Sequence, residues 1–157
     1  MPELEPPRFV DGKPMLIAGI ARHYNRNDML SALTGIPLQW QRFLPQMIKA
    51  QGDTGVVAYG VSYNGDEAGN FDYLCGTEVT ESPSEFSCVS LSAQRYAVFT
   101  HRGPVSNIRA TWEAIHQWLP TSGYKRSRAP DFERYGEKFD ARSKSGWVEI
   151  WVPVESA

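Results

Sequence analysis

Two tryptophans flank one carboxylate near the C-terminus of this chain. In the segment GWVEIWVPV, residues 146–154, Trp147, Glu149 and Trp151 alternate with Val148, Ile150 and Val152. Residues two apart on a β-strand share a face. β-branched and aromatic residues in this pattern predict a strand, opened by Gly146 and closed by Pro153. A carboxylate drawn out of water without a partner is costly, or takes up a proton instead. Three arrangements relieve that cost: a buried Arg or Lys, exposure to solvent, or a cationic ligand that brings the counter-charge when it binds. In the third, each tryptophan face adds cation–π attraction of roughly 0.5–2 kcal/mol. If the aliphatic face packs on helices, the Trp-Glu-Trp face looks into a groove or out to solvent. Two solvent-facing tryptophans would form an unusual apolar patch.

Further aromatic residues could line the same groove. Tyr59 and Tyr135 each sit in a Tyr-Gly step on a predicted strand, and either lines the groove or packs in the core. Trp40 opens a helical stripe and could offer its edge. Tyr96 and Phe99 point to opposite faces of one strand, so at most one of them meets a ligand. Trp112 is assigned to the core. Glu133, beside Arg134, reads as an ion pair, and His101, ahead of Arg102-Gly103-Pro104, as a structural hydrogen bond in a turn. His23 and His116 lie far in sequence from other ligand types. No HxxxH, HExxH or cysteine cluster is present, so no metal site is indicated, and no catalytic residue is assigned. No P-loop or Rossmann glycine pattern appears, and no cofactor is expected. GDEAGN, residues 65–70, lacks the full ligand register of a calcium loop and reads as a mobile loop.

The bulk properties narrow the partners. The chain has 157 residues, 41% hydrophobic and 22% charged, with a net charge of −2. That is ordinary globular usage, with no basic footprint for direct nucleic acid binding. The short cluster Lys125, Arg126, Arg128 reads as a solvated loop. No apolar run approaches the ~20 residues of a membrane span. The N-terminus lacks a secretory pattern. Cys75 and Cys88 therefore read as reduced thiols of a cytoplasmic protein.

Strands are predicted at 15–22, 55–64, 71–79, 95–101 and 131–139, besides the one over 146–154. A helix is predicted over 37–50, with Pro37 in its first turn and Pro45 as an interior anomaly. A second helix runs from an N-cap at Ser106 to about Leu119, burying Ile108, Trp112, Ile115 and Leu119. The order β-α-β-β thus occurs twice, and Ile36/Trp40 matches the spacing of Ile108/Trp112. The expected fold is α+β: duplicated β-α-β-β modules with pseudo-twofold symmetry, antiparallel sheets and a central groove. Residues 1–14 form an extended N-terminal lead-in. Residues 15–157 form one ligand-binding domain, with half-modules at about 15–80 and 94–155.

RYAVFTHRGPVSNIRATWEAIHQWLP, followed by DFERYGEKF and VEIWVPV, resembles the GyrI-like small-molecule-binding domain. That family includes effector-binding domains of AraC-type and MerR-type bacterial regulators. The resemblance extends over LIAGI, IPLQW, VAYGV and FDYLCGTEV in the first half. It implies a duplicated fold around an aromatic small-molecule pocket, with Glu149 at the position of an acid that engages cationic drugs. Family members usually carry a separate DNA-binding domain. No room for one precedes residue 15, so a free-standing binder of lipophilic cationic molecules is expected. Two alternatives stand beside it. Some relatives look like hydrolases of cyclopropane-containing compounds, in which Glu149 would be the acid or base and Tyr59 or Tyr135 a donor. Others inhibit DNA gyrase, which implies a protein partner for acidic segments such as Asp66-Glu67 or 78–85.

Overall fold

The computed structural model describes residues 4–46, 57–140 and 143–157. In chain order the elements are β1 (Arg8–Gly12), β2 (Met15–Asn25), α1 (Met29–Phe43), β3 (Ala58–Tyr63), β4 (Asn70–Val79), β5 (Ser87–Leu91), β6 (Gln94–Pro104), α2 (Ile108–Trp118), β7 (Tyr124–Arg126), β8 (Asp131–Asp140) and β9 (Ser145–Ser156). The chain divides into a contiguous unit, Pro14–Ser92, and a split unit, Met1–Lys13 with Ala93–Ala157. The fold is α+β, with antiparallel strands and one described α-helix in each unit.

In the contiguous unit the strands lie in the order β3-β4-β2-β5, every pair antiparallel. Gly19 faces Gly76 across β2 and β4. A Cβ on Gly19 would stand 1.8 Å from the Cys75 carbonyl oxygen, so only glycine permits this approach. Helix α1 covers the sheet through Ala32 and Phe43, packed with Tyr24, Phe71, Tyr73 and Cys75. Its buried Gln39 accepts a 2.8 Å bond from the Tyr24 hydroxyl and donates to the carbonyls of Ile20 and Tyr73 at 2.7 and 2.8 Å. A buried amide is tolerable because its donors and acceptor are paired in this way.

The helix begins earlier than predicted. Asp28 caps it, accepting from the Ser31 amide at 3.2 Å, and Pro37 lies inside rather than in the first turn. The α-helix stops at Phe43, ahead of Pro45, and Leu44–Gln46 tighten into a 3-10 turn. The expected extension through 47–50 lies outside the described residues, as does the start of the strand predicted at 55–64. Strand β5 has no counterpart in the sequence reading.

In the split unit the order is β1-β6-β9-β8, again antiparallel, and β7 pairs with the end of β9. Part of the stretch read as a lead-in is thus β1. The second helix also differs at its start. Val105–Asn107, including Ser106, form a 3-10 turn, and the α-helix opens after Asn107, whose side chain makes no capping bond. One face of this sheet packs on α2: Ala97, Phe99, Ile150, Val152 and Val154 enclose Ile115, with Ile108, Trp112 and Trp118 at the margin. The other face carries the Trp-Glu-Trp triplet.

Candidate functional site

Strand register places the candidate residues of the split unit on faces. Val98 pairs with Trp151 and Thr100 with Glu149, while Phe132 pairs with Trp151 and Arg134 with Glu149 across the other edge of β9. Arg8 pairs with Val98. Cross-strand partners share a face. One face therefore presents Arg8, Tyr96, Val98, Phe132, Arg134, Glu149 and Trp151. The sheet puts Val148, Ile150 and Val152 opposite, all essentially inaccessible to solvent.

Tyr96, Phe132 and Trp151 form one aromatic cluster. Phe132 and Trp151 stack at 5.2 Å with 17° between planes, and Tyr96 meets each edge-on at 5.5 and 5.4 Å. Tyr96 and Phe132 are buried, and burial holds the Tyr96 hydroxyl above the usual tyrosine range. Trp151 donates its indole N–H to Glu149 Oε1 at 3.2 Å. Glu149 Oε2 accepts from Arg8 Nη2 at 2.8 Å, and Arg134 Nη1 stands 3.7 Å from Oε1. Of the three ways to relieve the carboxylate, arginine pairing is the one present. It is a partly wet pairing: the Glu149 side chain is 25% exposed and that of Arg8 is 53% exposed.

Trp147, 41% exposed, is held between cations of its own chain. Arg102 Cζ lies 3.8 Å from the ring centroid and Lys138 Nζ 4.1 Å. Glu5 anchors Arg102 from Oε2 at 2.7 Å and from Oε1 at 3.1 Å. That pairing lowers the Glu5 carboxyl and raises the Arg102 guanidinium from their ordinary values. The aromatic face thus already binds positive charge by the geometry expected of cation–π contact.

Other predicted residues fall elsewhere. Phe99 is buried on the α2 face, edge-on to Trp118 at 5.1 Å, so of the Tyr96/Phe99 pair it is Tyr96 that shares the face of Glu149. Tyr135 also lies on the α2 face, where its hydroxyl donates to Glu133 Oε1 at 2.7 Å. Trp112 donates to Glu133 Oε2 at 2.9 Å, so Glu133 joins this hydrogen-bonded group, while Arg134 approaches Glu149. The reason is strand alternation, which turns Glu133 and Arg134 to opposite faces. His101 is buried, with Nδ1 2.7 Å from Thr111 Oγ1 and Nε2 2.9 Å from the Pro104 carbonyl. Since a carbonyl only accepts, Nε2 carries the proton in the neutral ring and Nδ1 accepts from Thr111. Trp40 and Tyr59 belong to the contiguous unit. Trp40 packs against its core and donates to the Tyr73 hydroxyl at 3.1 Å, and Tyr59 is buried on β3. An open cleft of about 550 Å³ in that unit, lined by Gly19, Ile20, Arg42, Glu85 and Phe86 among others, contains none of the residues predicted to bind a small molecule.

The residues missed by sequence reasoning are the cations Arg8, Arg102, Arg134 and Lys138. Two of them, Arg102 and Arg134, adjoin His101 and Glu133, and strand register sets them opposite Trp147 and Glu149. Among the described residues no group of three or more His, Cys, Asp or Glu could hold a metal ion. No described helix is long and apolar enough to cross a membrane.

This two-faced antiparallel architecture, helix on one side and aromatic-acidic strand face on the other, is that of a known class. Residues 5–155 match the GyrI-like small molecule binding domain, and the chain belongs to the GyrI-like family. It is 31% identical over 121 residues to the transcriptional regulator BrlR of Pseudomonas aeruginosa, covering 73% of this chain and 44% of the regulator. The chain thus spans less than half the length of that relative. The probable transcriptional regulator YgiV of Escherichia coli O157:H7 is 30% identical over 127 residues, covering 78% of this chain and 79% of its own. Among solved structures, SAV2435 bound to tetraphenylphosphonium shares the fold with a TM-score of 0.74 at 22% identity, over 98% of this chain and 94% of that one.

Proposed function

We propose that this chain is a non-enzymatic receptor for amphipathic aromatic cations, with Glu149 as the cation subsite and Trp147 and Trp151 as its aromatic walls. The observation that carries this reading is the partly exposed Glu149 carboxylate, bonded to the Trp151 indole beside the Tyr96–Phe132–Trp151 cluster. A ligand cation arriving there meets a carboxylate and a π face together, and its apolar body gains contact with the tryptophans. Trp147 supports the same preference, since two chain cations already lie on it. The relatives named as transcriptional regulators make effector sensing the biological role we assign, exercised through a partner or a further segment.

The hydrolase alternative, with Tyr59 or Tyr135 as donor, draws no support from Tyr135. Tyr135 lies on the face opposite Glu149, and its hydroxyl donates to Glu133 Oε1.

SAV2435 was solved with tetraphenylphosphonium, which makes that cation the natural probe. Titration followed by tryptophan fluorescence is expected to give saturable quenching. Neutral triphenylphosphine oxide, and the cation with Glu149→Gln, should each bind more weakly by roughly 1–3 kcal/mol, about 5- to 150-fold. Equal affinity in all three titrations would sink the cation assignment.

A further inference from the structure

The contact between Arg8 and Glu149 crosses a strand. Arg8 opens β1, which pairs with β6; β6 in turn pairs with β9, where Glu149 sits. Neighbouring strands stand almost 5 Å apart, so the Arg8 side chain must extend over β6 to bring Nη2 within 2.8 Å of Glu149 Oε2. Such reach orders a long, flexible side chain. An ion pair whose cation is 53% exposed returns little for that ordering, because water and salt screen it. Arg8 also stands at the first position of a five-residue strand whose partner within the unit is β6. Arg134 is placed differently. It sits directly opposite Glu149 on β8 and approaches the other oxygen at 3.7 Å. The two carboxylate oxygens therefore divide their roles. Oε1 has fixed neighbours, the Trp151 indole and Arg134, whereas Oε2 has Arg8 alone among the contacts described.

We propose that Arg8 is a built-in competitor for the cation subsite: its guanidinium holds Glu149 Oε2 when no ligand is bound and yields it to a ligand cation. This rests on the reading of Glu149 as that subsite and sets its specificity. A simple ammonium ion offers Glu149 nothing that Arg8 does not already supply, and Arg8 is tethered at high effective concentration. Only a cation whose aromatic body adds contact with Trp151 exceeds it. The competitor therefore filters small inorganic and organic cations out of a site that a bare carboxylate would open to them.

The test measures tetraphenylphosphonium, tetramethylammonium and triphenylphosphine oxide against wild type, Arg8→Gln, Arg8→Lys and Arg95→Ala. Arg95 also lies at the β1/β6 pair, but its partner is Asp11, so its loss removes the same charge without touching Glu149. Arg8→Gln should bind tetraphenylphosphonium about 3- to 10-fold more tightly and gain measurable tetramethylammonium binding. Its affinity for the neutral oxide should stay within about two-fold. Arg8→Lys, which keeps the charge on a shorter stem, should fall between wild type and Arg8→Gln, whereas Arg95→Ala should remain near wild type. Thermal melts of each variant show whether β1 stays docked. If Arg8→Gln binds the cations no tighter than wild type while Glu149→Gln weakens them, the competitor is refuted and the cation subsite stands. If the cation binds Arg8→Gln but not wild type, the competitor is upheld in its strongest form. Absence of binding to both refutes the two readings together.

Discussion

At the scale of residues, the sheet face of Glu149 is set by contacts in which charge meets an aromatic ring or a carboxylate at partial exposure. That Glu149 shares a face with Trp147 and Trp151, opposite Val148 and Ile150, was legible from strand alternation; what that face meets was not. Its arginine partner was not legible, because Arg8 and Glu149 lie 141 positions apart and no local pattern links them. A second charged group, in the contiguous unit, gives a prediction of its own. His23 Nδ1 lies 2.8 Å from Asp72 Oδ1 and Nε2 lies 3.3 Å from Asn70 Oδ1. The bond to Asp72, then that to Asn70, raises the His23 pKa above its ordinary 6.5. Asn64 and His23 together lower that of Asp72. The signs follow from linkage. The His23 contribution is complete below the ordinary histidine value and is lost as pH rises through the raised one. The Asp72 contribution is present above the ordinary carboxylate value and is lost as pH falls through the lowered one. An NMR titration of the His23 ring should show a midpoint above 6.5, moving back down in Asp72→Asn. A midpoint that ignores the Asp72 change would remove the pair.

At the scale of elements, the chain's β-α-β-β order was readable from hydrophobic period in both halves, since long strands and amphipathic helices announce themselves. Ends and edges were not. Pro37 suggested a helix start because proline favours the first turn, yet the cap at Asp28 lies nine residues earlier and the helix tolerates Pro37 on an exposed side. Strands β1, β5 and β7 are short, at five, five and three residues, too short to carry a period. The close seam of β2 and β4 is equally silent in sequence: Gly19 and Gly76 look like ordinary strand glycines until they are found opposite each other. Gly19→Ala should destabilise the protein by at least about 1–3 kcal/mol, as forced overpacking does, because its Cβ meets the Cys75 carbonyl oxygen at 1.8 Å. Urea unfolding at an unchanged midpoint would show that the strands can part at no cost.

At the scale of the whole molecule, the family resemblance was legible because several strand and turn motifs fall together over most of the chain, and residues 5–155 match the family. The division of the chain was not, because β1 joins a unit otherwise made of residues after 92. Removing residues 1–13 should leave one edge of β6 unpaired. An open strand edge invites pairing with other chains, so size-exclusion chromatography of the truncated protein is expected to show dimers or larger species beside a lowered melting temperature. A monomer as stable as the full chain would mean that β1 contributes nothing to the edge. The split unit has a further consequence in time. Ribosomes extend a chain at about 5–20 residues per second, and roughly 80 residues, the whole contiguous unit, are made between β1 and β6. Strand β1 is therefore made about 4–16 s before its partner β6. Arg8 and Glu149 are 141 positions apart, so the ion pair across β6 forms only after the chain between them has been made.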